Sequence, residues 1–220
     1  MSIAMRTSAV AVGVLMVMLM VAASGVARAD SYTDFTRALA NDDSRSVAQL
    51  IARGVDPNTV NEKGEPALLY AAREGTTEMI RALIRGRANV NIRTPQGDTP
   101  IMLASLAGNL ASVKALREGG AQINHAGWTP LQYAAFSGHD AVVEYLISTG
   151  ADVGLTAPNG ATPVMLAVLS NKTDTVKLLM SYGFDVDAKN DKGETALDIA
   201  RSKGFRDAEK ILRAPGAVRR

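Results

Sequence analysis

The chain has 220 residues, 47% of them hydrophobic and 21% charged, with no cysteine and 24 Lys+Arg against 22 Asp+Glu. The lack of cysteine excludes disulfide staples, so stability must come from burial. The absence of any Lys/Arg run interleaved with aromatics excludes the usual footprint of a nucleic-acid binder.

The first stretch reads as a targeting segment. Arg6 supplies a positive start, Ala9–Ala23 an apolar run, and Ala27-Arg28-Ala29 a small-residue cleavage signal. The apolar run is short for a membrane span of about 20 residues. Cleavage after Ala29 is expected, giving a signal peptide of residues 1–29 and a mature domain of residues 30–220 that carries 22 Lys+Arg and 22 Asp+Glu. An uncleaved anchor is the alternative. Without cysteine, lipid modification at the cleavage site is excluded. The expected location is periplasmic or secreted.

From Ser31 the chain repeats itself. Glycines recur at Gly64, Gly97, Gly127, Gly160 and Gly193, at intervals of 33, 30, 33 and 33 residues. This divides the domain into repeats 64–96, 97–126, 127–159 and 160–192, between polar caps over 31–63 and 193–213. Within Gly127–Asn159, Thr129 and Pro130 start a helix as N-cap and first helical residue. Ala134 and Ala135 allow close approach of a neighbouring helix. Gly138 breaks the chain before a second helix with an apolar face of Val142, Val143, Leu146 and Ile147. Gly150 ends that helix in a left-handed conformation. Other units echo this: Thr99-Pro100-Ile101, Thr162-Pro163-Val164 and Thr195-Ala196-Leu197 at helix starts, and columns through Val47, Ile80, Val113, Val143, Val176 and through Leu50, Leu83, Leu116, Leu146, Leu179, Leu212.

These residues resemble the ankyrin repeat, G-x-T-P-L-H-x-A-A followed by a Gly-His step and G-A-D-V-N, and a 33-residue period is that family's signature. The resemblance covers residues 31–213 and implies an all-α solenoid of about six stacked helix pairs with short β-hairpin fingers. There are departures. Arg87 stands where Gly54, Gly120, Gly150 and Gly183 occur, a left-handed position unless Gly86 shifts the cap. The usual histidine is replaced by Leu69, Met102, Gln132, Met165 and Asp198, so its hydrogen-bond bridge is expected to be lost. The family asparagine survives as Asn58, Asn91 and Asn124 but becomes Gly154 and Asp187. The three missing residues of the short interval fall in the finger Gln122–Ala126, which predicts a notch in the finger row.

Chemistry is sparse. His139 belongs to the Gly-His step and reads as structural; His125, in the short finger, is expected to be solvated. Ser137, Ser148 and Ser170 lack a nucleophile elbow, and Asp187, Asp191 and Glu194 read as an acidic turn rather than a calcium run. No catalytic residue, cofactor or metal is expected.

The resemblance implies instead a concave groove, lined just after each Ala-Ala by Arg73 and Glu74, Leu106 and Ala107, Phe136 and Ser137, Leu169 and Ser170, Ser202 and Lys203. Trp128, the sole tryptophan, is expected beside them, either as a binding anchor or folded into the short finger as a plug. The leucines are either exposed or hidden by tight packing. The reading is a non-enzymatic, monomeric module that binds a protein partner, with no nucleic acid and no membrane contact after cleavage. Its role is that of an envelope inhibitor, immunity protein or scaffold. The alternatives are a secreted effector acting on host proteins, or an enzyme or enzyme accessory using His125 and nearby acids.

Overall fold

A computed structural model describes residues 30–214; the targeting segment and the tail from Pro215 lie outside the described residues. Twelve helices, counted among the described residues, follow one another in six pairs. Helix α1 covers residues 30–40 and pairs with α2 (Ser44–Ala52). The remaining pairs are α3 (Ala67–Glu74) with α4 (Thr77–Arg85), α5 (Pro100–Leu106) with α6 (Leu110–Glu118), α7 (Pro130–Ser137) with α8 (Asp140–Ser148), α9 (Pro163–Leu169) with α10 (Thr173–Ser181), and α11 (Ala196–Lys203) with α12 (Arg206–Leu212). Among the described residues no helix is long and apolar enough to cross a membrane.

Helices this short are marginal alone, because nucleation costs more than two turns of hydrogen bonds return. Local signals define their ends and stacking stabilises them. The hydroxyls of Thr129, Thr162 and Thr195 accept backbone N–H groups of Gln132, Met165 and Asp198, closing the first turns of α7, α9 and α11. Inner helices then pack in a row from α3 to α11 and outer helices in a second row from α2 to α12. The two apolar columns fill the space between: Val47, Ile80, Val113, Val143 and Val176 are wholly buried, and every leucine from Leu50 to Leu212 in the second column is buried too. Ala134 and Ala135 have no exposed surface, as close helix approach requires.

Polar contacts knit adjacent repeats. Asn58, Asn91 and Asn124 each use Oδ1 to accept a backbone N–H of the next repeat, from Asn89, Gln122 and Asp152 at 2.8–2.9 Å. His139 sits between turns, with Nε2 3.0 Å from the Leu106 carbonyl. A Cβ at Gly108 would lie 2.5 Å from that imidazole, so glycine there makes room for the ring. One open alternative is settled and one expectation is corrected. Arg87 itself adopts the left-handed conformation (φ 70°), while Gly86 stays at φ −73° and does not shift the cap. And the bridge expected to be lost survives at Gln132, whose Oε1 accepts the Thr129 N–H at 3.0 Å while Nε2 donates to Leu155 O at 3.0 Å in the finger that ends the same repeat. A glutamine carries both a donor and an acceptor, so it replaces histidine. Met102 does not: the Thr99 N–H meets only its sulfur at 3.3 Å, and the Thr99 hydroxyl is buried without a partner.

The fingers are tight turns rather than extended hairpins; an isolated bridge pairs Val60 with Pro66. Four of them close alike, with the N–H of Asn61, Thr94, Ala157 and Asn190 donating to the carbonyl four residues on, at 2.8–3.0 Å. The residue before that carbonyl is Gly64, Gly97, Gly160 or Gly193, all with φ between 74° and 95°, which is where a three-residue hairpin loop needs glycine. Residues 121–127 form no such closure, so the finger row is notched where the sequence is three residues short.

Candidate protein-binding face

Each inner helix carries two aligned positions three residues apart: Tyr70 and Arg73, Leu103 and Leu106, Tyr133 and Phe136, Leu166 and Leu169, Ile199 and Ser202. Residues three apart share a helix face, and inter-repeat stacking sets the pairs side by side. Leu103, Leu166 and Ile199 are buried, whereas Leu106, Phe136 and Leu169 remain 39, 44 and 37% exposed. Tight packing therefore does not hide the leucines. Ala107 is exposed beside Leu106, and Ser137 and Ser170 are half-buried. Three consecutive repeats thus present an apolar side chain in one register, spaced by the helix–helix distance of about 8–10 Å.

Trp128 is placed differently from the expectation of a free anchor beside this row. It precedes α7 at the finger end, whereas Phe136 lies at the opposite end of a helix about 12 Å long. Its indole is half-buried, packed against the core and against Tyr133 with ring centroids 5.4 Å apart and planes at 49°. Tyr133 links the two ends, since it touches Trp128 and shares a helix face with Phe136. The Tyr133 hydroxyl donates to Asp98 Oδ1 on the previous repeat. Burial, followed by the adjacent Asp98 carboxylate, raises the Tyr133 pKa far above the ordinary phenol range. Tyr133 is the functional candidate that the sequence reading missed; the signal available was an aromatic three residues before Phe136.

The ends of the row are polar. Arg73 and Glu74 are exposed, but Arg73 is engaged within the chain: its two terminal nitrogens meet the two Glu65 carboxylate oxygens at 2.8 and 2.9 Å and its Nε meets Glu74 at 3.0 Å. Burial opposes its charge, yet the hydrogen bonds to Glu74 and Glu65 outweigh it and the guanidinium pKa is raised. Lys203 is exposed at the far end. A cleft of about 410 Å³ opens between α1, the first finger and α3, lined in part by Arg37, Lys63, Tyr70 and Arg73.

His125 departs from the expected solvated position: it is half-buried, Nδ1 lies 3.3 Å from the Ala126 carbonyl, and Nε2 is buried without a partner. No group of three or more His, Cys, Asp or Glu residues able to hold a metal occurs among the described residues. Asn190 and Glu194, at the acidic turn, are joined by a 3.0 Å hydrogen bond, which gives that turn a structural role.

The family model for ankyrin repeats (3 copies) matches residues 35–126, 87–157 and 149–218. Among similar curated proteins, the Notch-regulated ankyrin repeat-containing protein of Homo sapiens is 39% identical over 85 residues, 36% of this chain and 75% of the relative. Ankyrin repeat and SAM domain-containing protein 6 of Mus musculus is 37% identical over 111 residues, 48% of this chain but 13% of that protein. SH3 and multiple ankyrin repeat domains protein 1 of Homo sapiens is 35% identical over 123 residues, 53% of this chain and 6% of that protein. These larger relatives thus extend far beyond the stretch they share with this chain, and all three are animal proteins.

Proposed function

The chain belongs to the ankyrin-repeat family, and from that premise we propose that it is a non-enzymatic module binding a protein partner along its inner-helix face. Ankyrin repeats mediate protein–protein interaction. The observation that carries the reading here is the exposed row Leu106, Phe136 and Leu169, held in one register by stacking and left 37–44% exposed among the described residues. Contiguous exposed apolar side chains mark interaction sites. The helices beneath are packed before any partner arrives, so little ordering cost is added on association. Arg73, Glu74, Ser137 and Lys203 form a polar border that orients the partner, and Trp128 with Tyr133 extends the contact toward the fingers.

The setting we propose is the bacterial envelope, reached by export and cleavage after Ala29, with the mature chain acting as an inhibitor, immunity protein or scaffold. The Arg6, Ala9–Ala23 and Ala27-Arg28-Ala29 sequence supports export. A crosslinking capture from envelope extract, comparing wild type with Phe136→Ala and Leu106→Ala, tests the binding reading. A specific partner retained by wild type and lost by both variants is expected. A partner held equally by all three would place docking on another face. Mass spectrometry of the same material tests export, and a terminus retaining residues 1–29 would overturn that part alone.

A further inference from the structure

Charge is distributed unevenly from Asp30 onward. Residues 30–195 carry 15 Lys+Arg and 19 Asp+Glu, whereas residues 196–214, which hold α11 and α12, carry five Lys+Arg and three Asp+Glu. The near-neutral total thus conceals a net −4 stretch joined to a net +2 stretch. Two of the three acids of the basic stretch, Asp198 and Glu209, are paired with arginines. Glu209 receives Arg201 at 3.4 Å and Arg213 at 2.6 Å. Asp207 is exposed and forms no ion pair among the described residues. Lys203, Arg206 and Lys210 are left exposed, and none of them forms an ion pair among the described residues. Arg206, Lys210 and Arg213, together with Glu209, line an open cleft of about 500 Å³ along α12. Arg219 and Arg220 follow a few residues later in the sequence.

We propose that this α11–α12 surface docks on the anionic headgroups of a lipid bilayer. Clusters of four to eight basic residues are drawn to such headgroups without needing a complementary fixed shape. The only aromatic on these two helices and their turn is Phe205, which is half-buried, so base stacking of the kind that supports single-strand binding has no platform. The choice of lipid as the polyanion rests on the export reading, because an exported chain meets a membrane in transit. The acidic stretch is repelled by the same surface, so the molecule approaches with α11–α12 first and the row Leu106–Phe136–Leu169 stays open. This revises the expectation that the processed chain makes no membrane contact.

The test is co-sedimentation of the protein, with whatever N-terminus it carries, on phosphatidylglycerol-containing vesicles and on phosphatidylcholine vesicles at low and high salt. Binding is expected to the anionic vesicles only and to fade as salt shortens the screening length. Lys203→Glu, Arg206→Glu and Lys210→Glu combined should weaken it by roughly tenfold or more. Arg45→Glu, Arg53→Glu and Arg85→Glu, with the same change in net charge at the other end of the stack, should weaken it far less; circular dichroism confirms that both triples fold. Equal binding to both vesicle types that survives salt assigns the contact to the apolar N-terminal segment and overturns the proposal. So does an equal effect of the two triples, absence of binding, or preference for a DNA duplex at the same salt. None of these outcomes depends on whether the protein is exported or on capture by the apolar row.

Discussion

Asn124 fastens itself to Asp152 of the next repeat: its Oδ1 accepts the Asp152 N–H at 2.8 Å, while its Nδ2 donates to the nearby Gly150 carbonyl at 2.8 Å. One side chain satisfies two backbone groups across the joint. The aligned residue one repeat later is Gly154, which has no side chain to do so.

Gly154→Asn is therefore expected to stabilise the protein by about 1 kcal/mol, the net worth of a hydrogen bond made without new burial cost. Its backbone is not left-handed, and a Cβ there meets only the exposed Asp152 carboxylate at 3.3 Å. The converse, Asn124→Ala, leaves two backbone groups unpaired and should cost about 1–3 kcal/mol. Urea midpoints measure both, and a destabilising Gly154→Asn would contradict this account of the joint.

Arg87 holds a left-handed conformation at φ 70° where four other repeats use glycine. Arg87→Gly should raise stability by about 1 kcal/mol by removing the Cβ clash. A lower melting temperature would show that the arginine side chain contributes more than its backbone strain costs.

Leu146 is wholly buried between the two helix rows of the central repeats. Leu146→Ala should cost roughly 2–5 kcal/mol from lost transfer energy and the cavity left behind. Chemical unfolding followed by Trp128 fluorescence reads this, and an unchanged midpoint would refute the stacking described.

Phe136→Ala should weaken partner binding by about 2 kcal/mol with little change in melting temperature, because the ring is 44% exposed. Trp128→Ala should lower stability as well as binding, since the indole packs on the core and on Tyr133. Paired calorimetry and thermal melts separate the two. A Phe136→Ala protein that melts much earlier would make Phe136 a structural residue.

Tyr133 should resist ionisation. Its folded pKa is raised above the ordinary phenol value of 10, first by burial and then by Asp98. A raised pKa contributes stability that is fully present below the unfolded value and is lost as pH rises beyond it, so stability should decline above pH 10. Ultraviolet titration of the five tyrosines should show one phenol that ionises last, and Tyr133→Phe should remove that step.

The repeat period, helix starts and buried columns were legible in the sequence because each depends on residues close together in the chain. A Thr-Pro step caps its own helix, and a leucine every 33 residues, or 30 across the short finger, can only be repeated burial. The shortened finger was legible for the same reason. Side-chain contacts between fingers, turns and helices were decided by the tertiary structure. Gln132 looked like a lost bridge until the Leu155 carbonyl came within 3.0 Å, and Arg73 looked like a free rim cation until Glu65, eight residues away, closed on it. Trp128 was left as either an anchor or a plug because nothing local marks Tyr133 as its neighbour. Sequence periodicity determines which faces stack, since burial is additive along the chain. Side-chain pairing depends on distances of a few ångströms between a finger or turn and the helix it folds against, and those exist only once the chain has packed.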